Sequence, residues 1–392
     1  MSEEPMSEDP SSESPRSEDP SSEPLYVPAL PARRSALDAY EKSAPAVRAR
    51  VAPLWTVPPR FGRDRTMGMR PRRPLDPDPV ALAAHVRTTL HAIERVQGGL
   101  PAWVDTFHVE DEPGALAAAF GPGPGSTPLR PVTGVGRAPG QQAACAEAAR
   151  LSGHGLGVRV FLTALPDERL RDRVRLLLDR IAFARCPVDL LLDLGAVDDE
   201  HHPAEKWALR ALGLLGPLHH WRTVVVLAGS FPRTYPEDYG APLGEAHRFD
   251  WDIWHMLVDG THRPAVRVVY GDYGADHAAS ADRPVDAGGG SPWGVVRYTT
   301  ERTFLLARVP TRGPDHADVI RELVRQIVHA EGFRGAEFSA GERWLDSCAA
   351  GRAAGRVRAG ARGSGAGGPE VWLRTGHVQH LAQVVRALRR RP

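Results

Sequence analysis

The stretch Val188–Gly195, with the sequence VDLLLDLG, decides the fold. Its apolar centre is uninterrupted and ends in a tip that contains an aspartate and a glycine. The runs Thr223–Ser230 (TVVVLAGS) and Val266–Gly274 (VRVVYGDYG) have the same form. Continuous apolar runs of this length are typical of strands buried on both faces, as in parallel sheets covered by helices.

Five weaker runs of the same kind precede these three along the chain. They are Tyr26–Leu30, Val51–Val57, Trp103–Val109, Leu129–Val135 and Val158–Ala164. Eight runs separated by stretches that can form helices predict an α/β fold, a (β/α)8 barrel of the TIM type, whose functional residues lie at the C-terminal strand ends. A shifted count, with Val51–Val57 as the first strand and Val295–Thr299 as the eighth, is an open alternative.

The stretches between the runs have apolar residues at helical spacing. Beyond the eighth run, Val295–Thr299 and Thr303–Val309 alternate apolar and polar residues and predict a β-hairpin. The predicted helices are Ala36–Arg48 with Ser35 as N-cap, Val80–Val96, Ala115–Phe120, Gly140–Leu151, Asp167–Ala184, Ala204–Leu215, Phe249–Val258, Ala317–Glu331 and Val378–Leu388.

The composition divides the chain into three parts. Residues 1–24 are rich in Ser, Glu and Pro and predict a disordered acidic tail, because they have almost nothing apolar to bury. Residues 25–275 form the predicted barrel. Residues 276–392 form a C-terminal extension of hairpin and helices packed on the barrel, with a flexible Gly/Arg insertion at 351–369.

Charge, cysteine content and hydropathy indicate where in the cell the protein is located. The formal net charge is +1, and the many arginines are typical of a GC-rich genome more than of a phosphate-binding surface. The three cysteines lack the spacing of a metal site and predict a reducing cytoplasm. No stretch is apolar enough for a membrane span or a secretory signal, so we expect a cytoplasmic protein without a membrane partner.

Several short motifs follow one another in a characteristic order. They are Tyr26–Pro28, Leu54 with Pro58 and Pro59, Pro131–Gly134, Val188–Gly195, Trp221–Arg222, Gly229–Pro232, Arg248 with Trp251 and Trp254, Gly271–Tyr273, Arg297–Thr299, Phe338–Ser339 with Gly341–Glu342, and Trp372–Arg374 with His380. This order resembles the Beta protein family, which is named after a protein of a tailed bacteriophage. The resemblance extends from Leu25 to Leu388. It implies a phage-linked or phage-defence-linked setting and no particular reaction.

Polar residues at the predicted strand tips are the candidates for chemistry, because the C-terminal strand ends of a barrel converge. Grouped carboxylates act as general acid and base, or hold a hard cation such as Mg²⁺. We predict Asp193, Asp272 and Arg297 as catalytic residues, with the guanidinium neutralising the carboxylates or binding an anion. The alternative for each tip residue is a structural role as a helix cap or in a turn.

A second set of residues is predicted to bind a ligand. Arg248 and Trp251 lie three residues apart on one helix and can stack on a base or sugar, although packing of that helix is the alternative. Tyr298 follows Arg297 on a strand, so only one of these two side chains faces the barrel. No metal-ligand set is evident. The remaining predicted binding residues are Asp105, Thr133 and Ser230.

Two classes of function therefore compete, with a barrel that has lost its site as a third possibility. The first is an enzyme that hydrolyses a bond, such as a phosphodiester, with the help of a divalent cation at the barrel rim. The second is a non-enzymatic adaptor that binds nucleic acid or a phage or defence protein, using Arg248, Trp251 and the basic segment Arg352–Arg362.

Overall fold

The structure, a computed structural model, describes residues 24–60, 79–109, 128–198, 204–233, 242–260, 264–282, 293–352 and 366–390. Eight of its strands form a closed parallel barrel and three form a separate antiparallel sheet. The strands are β1 (Tyr26–Pro31), β2 (Leu54–Thr56), β3 (Ala102–Asp105), β4 (Leu129–Thr133), β5 (Leu156–Phe161), β6 (Val188–Ala196), β7 (Val224–Gly229), β8 (Leu243–His247), β9 (Val268–Asp272), β10 (Trp293–Thr299) and β11 (Thr303–Pro310).

The barrel closes because β1 pairs in parallel with both β2 and β9. Its strand order is β1–β7 followed by β9, so all eight predicted strands are confirmed in their predicted order. The shifted count is wrong: β10 pairs with β11 outside the barrel, and the closing pair Tyr26–Tyr270 joins the first predicted strand to the eighth.

Helices follow most of the barrel strands, and each has an apolar side that packs on them. The first predicted helix is divided in two, because Pro45 lacks a backbone N–H and begins a new helix. Ser35 lies inside the first helix and is not its N-cap, which is Arg33. The helices are α1 (Arg34–Lys42), α2 (Pro45–Arg48), α3 (Pro79–Gln97), α4 (Pro139–Ser152), α5 (Glu168–Ile181), α6 (Ala204–Leu215), α7 (Phe249–Asp259), α8 (His316–His329), α9 (Ala340–Ala349) and α10 (Pro369–Arg389).

The antiparallel sheet has the order β10–β11–β8 and confirms the predicted hairpin, with β8 as an added strand. One face of the sheet contributes Val296 and Tyr298 to a second apolar core shared with α8, α9 and Trp372 of α10. The other face contacts Phe231, which follows β7. The sheet therefore lies between the barrel and the C-terminal helices.

Side chains alternate between the two faces of every barrel strand, because successive residues of a strand point in opposite directions. On β6, Leu191 belongs to the core inside the barrel, whereas Leu190 and Leu192 belong to the core beneath the helices. On β9, Val269 lies inside and Tyr270 outside. This alternation decides which strand-end residues can meet at the mouth of the barrel.

The N-terminal end of the barrel is closed by a buried ion pair. Asp189 accepts hydrogen bonds from Arg222 Nε at 2.8 Å and from Trp103 Nε1 at 2.9 Å, and Arg130 lies 3.5 Å away. In barrels of this type, residues at the N-terminal end contribute to stability, and the functional residues lie at the C-terminal end. The C-terminal mouth is therefore where a functional site is expected.

Two glycines allow a matched test of packing in this barrel. A Cβ on Gly271 of β9 would lie 2.5 Å from Leu227 Cδ2 and 3.0 Å from the Val27 carbonyl oxygen. We expect Gly271→Val to lower the free energy of unfolding by about 1–3 kcal/mol or more, because the added side chain would overpack the core. Gly213 in α6 has no atom within 4 Å of such a Cβ, so Gly213→Ala should raise stability by about 0.5–1 kcal/mol. Urea denaturation of both variants measures the difference, and equal midpoints would contradict the packing.

Three predictions fall wholly or mainly outside the described residues: the acidic tail, the helix Ala115–Phe120 and the Gly/Arg insertion. Within the described part of the chain, no helix is both long and apolar enough to cross a membrane.

Candidate functional site

The C-terminal mouth of the barrel contains a buried arginine between two buried aspartates. Arg159 is the fourth residue of β5, and its side chain lies inside the barrel. It donates from Nη1 to Asp105 Oδ2 at 2.6 Å and from Nε to Asp193 Oδ2 at 2.8 Å. Asp105 ends β3 and Asp193 lies on β6, so three strands bring these charges together.

Two further side chains complete this group, which we call the mouth network (Asp105, Arg137, Arg159, Asp193 and Tyr273). Arg137 follows β4 and donates to Asp105 Oδ1 at 2.8 Å. The Tyr273 hydroxyl donates to Asp193 Oδ1 at 2.6 Å. The network holds two positive and two negative side chains, so its formal charge is balanced inside the barrel.

The carboxylate of Asp105 is held ionised. Burial alone raises the pKa of Asp105, but Arg137 and Arg159 outweigh it and lower that pKa to about 2. Burial and the neighbouring Asp193 raise the pKa of Tyr273 well above its usual value. The hydroxyl therefore stays protonated and keeps its hydrogen bond to the carboxylate.

Two phenylalanine rings lie against the guanidinium groups of Arg137 and Arg159. Both rings are partly exposed to solvent, whereas aromatic rings are usually buried. Phe107 is 45% exposed and contacts the guanidinium of Arg137, whose Cζ is 4.7 Å from the ring centroid. Phe161 is 38% exposed and lies 4.6 Å from Arg159 Cζ. The two ring centroids are 5.1 Å apart. We call this pair the aromatic platform.

A histidine–aspartate pair adjoins the platform. His108 belongs to the short 3-10 turn Phe107–Val109, directly after β3. Its Nδ1 lies 2.6 Å from Asp282 Oδ1 in a second turn, Ala278–Asp282, after β9. Burial lowers the pKa of His108, although Asp282 and Asp105 oppose that shift. The His108 side chain is 13% exposed, so part of it is accessible to solvent.

Asp272 belongs to a different group of side chains, outside the barrel. It accepts hydrogen bonds from His380 Nε2 at 2.8 Å, from the Gly274 amide at 2.8 Å and from the hydroxyl of Tyr26. The Tyr270 hydroxyl lies 2.9 Å away. His380 is on α10, so this carboxylate joins the C-terminal helix to the first and last strands of the barrel.

Arg248 and Asp250 extend the group, which we call the outer network (Tyr26, Arg248, Asp250, Tyr270, Asp272 and His380). Arg248 is fully buried and donates to the Tyr270 hydroxyl at 2.9 Å. Asp250 accepts hydrogen bonds from Tyr270 and from Ser230. Burial opposes ionisation of Asp272, but His380, Arg248 and Tyr26 lower its pKa to about 2.

The three residues predicted as catalytic therefore do not share one concavity. Asp193 points into the barrel, where Tyr273 contacts it. Asp272 directly precedes Tyr273, and neighbouring residues of a strand point to opposite faces, so Asp272 points outward beneath α10. Arg297 lies on the sheet face that contacts the barrel, with its guanidinium 5.0 Å from the Phe231 ring centroid. Only Asp193 reaches the mouth network.

The residues predicted to bind a ligand are also distributed over several places. Asp105 is in the mouth network, and Ser230 contacts the outer network. Thr133 points outward and donates to Gln141 Oε1 of α4 at 2.6 Å. The Tyr298 hydroxyl is in the second core, 3.0 Å from the Arg334 amide. Trp251 is buried and stacks on Trp254, with a centroid distance of 5.4 Å.

A cleft of about 440 Å³ opens beside Trp251, between α7 and the turn of the β10–β11 hairpin. This volume is in the range of small-molecule sites. The cleft is lined by Trp251, Asp252, His255, Met256, Glu301 and Arg302.

Sequence reasoning missed Arg159, Arg137, Tyr273 and the His108–Asp282 pair. Arg159 has a recognisable signal, because a cation at an inward position of an apolar strand needs a buried carboxylate partner. His108 has a weaker signal, three residues after a strand-end aspartate. Asp282 has none, since only the fold brings it near His108.

The mouth network is poorly suited to bind a metal ion. Within the described ranges, no group of three or more His, Cys, Asp or Glu residues is placed to hold one. The oxygens of Asp105 and Asp193 accept hydrogen bonds from Arg137, Arg159 and Tyr273. The guanidinium groups thus stand where a cation would bind the carboxylates.

Comparison with known proteins yields one result on identity. The family model described as Beta protein matches residues 26–386, which is nearly the whole chain. No curated protein matches the chain. The order of motifs and the family model agree over the barrel, the sheet and α10. The chain belongs to the Beta protein family.

Proposed function

We propose that the protein is a hydrolase whose site is the C-terminal mouth of the barrel, where it cleaves an ester bond in a ligand that carries a flat ring. The observation that carries the proposal is the aromatic platform above the mouth network. Two phenylalanines at a strand-end opening expose apolar rings that burial would stabilise, which is typical of a binding surface.

The mouth network supports this proposal because it fixes the platform. Asp105 accepts a hydrogen bond from the Phe107 amide at 3.0 Å, and the guanidinium groups of Arg137 and Arg159 lie against the two rings. A ring of the ligand would stack on Phe107 or Phe161, and its ester group would lie near His108. Rigid support of this kind lowers the entropic cost of binding.

In this proposal the arginines, and not a divalent cation, supply the positive charge. The Mg²⁺ version of the hypothesis needs carboxylate oxygens that are available to the ion, and Asp105 and Asp193 direct theirs at guanidinium and hydroxyl groups. Hydrolysis should therefore persist in EDTA. Loss of hydrolysis in EDTA and its recovery with MgCl2 would favour the Mg²⁺ version.

A phage-linked or phage-defence-linked setting and a cytoplasmic location remain part of the proposal. Membership of the Beta protein family supports the first. The adaptor hypothesis is the second candidate, and the cleft beside Trp251 is the observation that favours it. Arg248 and Trp251 themselves are buried, so such binding would use Met256 and Arg302 at the cleft surface.

Two chromogenic probes test the proposed hydrolysis: 4-nitrophenyl acetate and bis(4-nitrophenyl) phosphate, which both carry a flat ring. We expect the protein to hydrolyse at least one, and the double variant Phe107→Ser/Phe161→Ser to raise KM at least about tenfold, since stacking is worth about 1–3 kcal/mol per ring. Phe183→Ser is the control, because Phe183 is 48% exposed but lies after α5. Hydrolysis of neither probe, or an unchanged KM in the double variant, would contradict the proposal.

A further inference from the structure

We propose that His108 is the general base of the mouth site and that Asp282 is the positioning residue that holds its ring. This inference rests on the proposed hydrolysis and names the group that activates the attacking water. It follows from the geometry of two turns that meet at the mouth, one after β3 and one after β9.

The contact between the two side chains settles which ring nitrogen is available. Asp282 Oδ1 lies 2.6 Å from Nδ1 of His108, so Nδ1 carries the proton that the carboxylate accepts. Nε2 on the opposite side of the ring then has a lone pair, and among the described residues no hydrogen bond reaches it. A neutral imidazole held in this tautomer is the arrangement that general-base catalysis requires.

The surroundings of His108 favour the neutral ring. Burial is the largest influence on its pKa and lowers it, and the positive charges of Arg159 and Arg137 act in the same direction. Asp282 and Asp105 act against that shift without reversing it. The neutral form of the base is therefore favoured, and its activity should fall at a lower pH than that of an ordinary histidine.

Its position gives the ring access to a ligand on the platform. His108 is the next residue after Phe107, and their ring centroids are 5.2 Å apart. A ring stacked on Phe107 would bring a neighbouring ester bond close to Nε2. Asp282 is 62% exposed, so it can orient the imidazole without closing the mouth.

The step balances without any further reactant. Nε2 takes a proton from water while the water oxygen forms a bond to the carbonyl carbon or the phosphorus of the ester. The bond to the leaving oxygen breaks, and the 4-nitrophenolate of the probe departs with the electron pair. The imidazolium then returns its proton to solvent, which restores the neutral ring.

Kinetics of the same two probes test this assignment. We expect His108→Gln to lower kcat about a hundredfold or more while KM stays the same, because a general base contributes about 10²–10⁴ in rate. Asp282→Asn should lower kcat less, and the exposed control His329→Gln should leave it unchanged. The rise of kcat/KM with pH in the wild type should be absent from His108→Gln.

A measurement without a substrate guards against variants that fail to fold. Diethyl pyrocarbonate acylates neutral imidazole, and peptide mapping should show His108 reacting in the wild type and more slowly in Asp282→Asn. Unchanged kcat in a folded His108→Gln variant would overturn the assignment, and so would a His108 that the reagent does not modify. If the platform variant raises KM while His108→Gln keeps full kcat, the hydrolase proposal survives and this inference fails.

Discussion

Replacing Arg159 by methionine is expected to lower the free energy of unfolding at pH 7.5 by about 3–5 kcal/mol, which is the usual cost of breaking a buried ion pair. Methionine keeps most of the length of the side chain, so little volume is lost. What is lost is the cation between two buried carboxylates, Asp105 and Asp193. The measurement is urea denaturation of the wild type and the variant.

The pH dependence of this loss identifies its cause. In the wild type the folded-state pKa of Asp105 is lowered from 3.8 to about 2, so its stabilising effect is complete above about pH 4 and is lost as the pH falls toward 2. Without Arg159, Arg137 alone opposes the effect of burial on Asp105, so the folded-state pKa of Asp105 rises. The variant therefore gains a proton in the folded state, and its deficit relative to the wild type should shrink from pH 7.5 to pH 5.

The control for this experiment is Arg171→Met. Arg171 makes an exposed ion pair with Glu168 at 3.0 Å, and exposed pairs contribute little. We expect a change of at most about 0.5 kcal/mol at both pH values. A deficit in Arg159→Met that matches this control would show that the mouth network does not stabilise the barrel.

Replacing Asp272 by alanine is expected to cost about 3–5 kcal/mol, because it leaves the buried donors of Tyr26, His380 and Gly274 without their acceptor. The loss should concentrate on α10, which the outer network joins to β1 and β9. Hydrogen exchange of α10 amides should therefore accelerate before that of the barrel strands. Asp179→Ala, on the exposed side of α5, is the matched control.

A double-mutant cycle separates the contact with α10 from the rest of this effect. His380→Phe removes the donor, and Asp272→Ala with His380→Phe removes both partners. Residues in one hydrogen-bonded group typically couple by about 0.5–3 kcal/mol. Additive losses, or equal acceleration of exchange in α10 and β6, would contradict a direct contribution of this pair to the docking of α10.

The barrel could be predicted from its sequence because each strand is a separate apolar run with a polar tip. The elements that were missed lack such a signal or carry a different one. Strand β8 (Leu243–His247) is short and only partly buried, with Gly and Glu at its centre. Helix α9 has a usable signal, since Ser339 and Glu342 form the serine-to-glutamate spacing of a capping box.

The candidate site was predicted less well for a physical reason. Strands of a covered barrel are apolar on both faces, so the run Leu190–Leu192 does not reveal which residues point inward. Asp193 and Asp272 look equivalent as strand tips, yet one lies inside the barrel and the other beneath α10. Contacts between distant segments, such as His108 with Asp282, depend on the fold and have no local pattern.

The central claim is that the mouth network supports hydrolysis as well as stability, whereas the outer network supports stability alone. The most direct test compares kcat/KM of Asp193→Asn and Asp272→Asn for the chromogenic probe that the wild type hydrolyses. An amide at 193 presents N–H groups to Arg159, so we predict a loss of about tenfold or more, equivalent to about 1.4 kcal/mol. Asp272→Asn should unfold at lower urea concentration but keep kcat/KM within about twofold, a change well under 1 kcal/mol. Equal losses in both variants, or full activity in Asp193→Asn, would contradict the account.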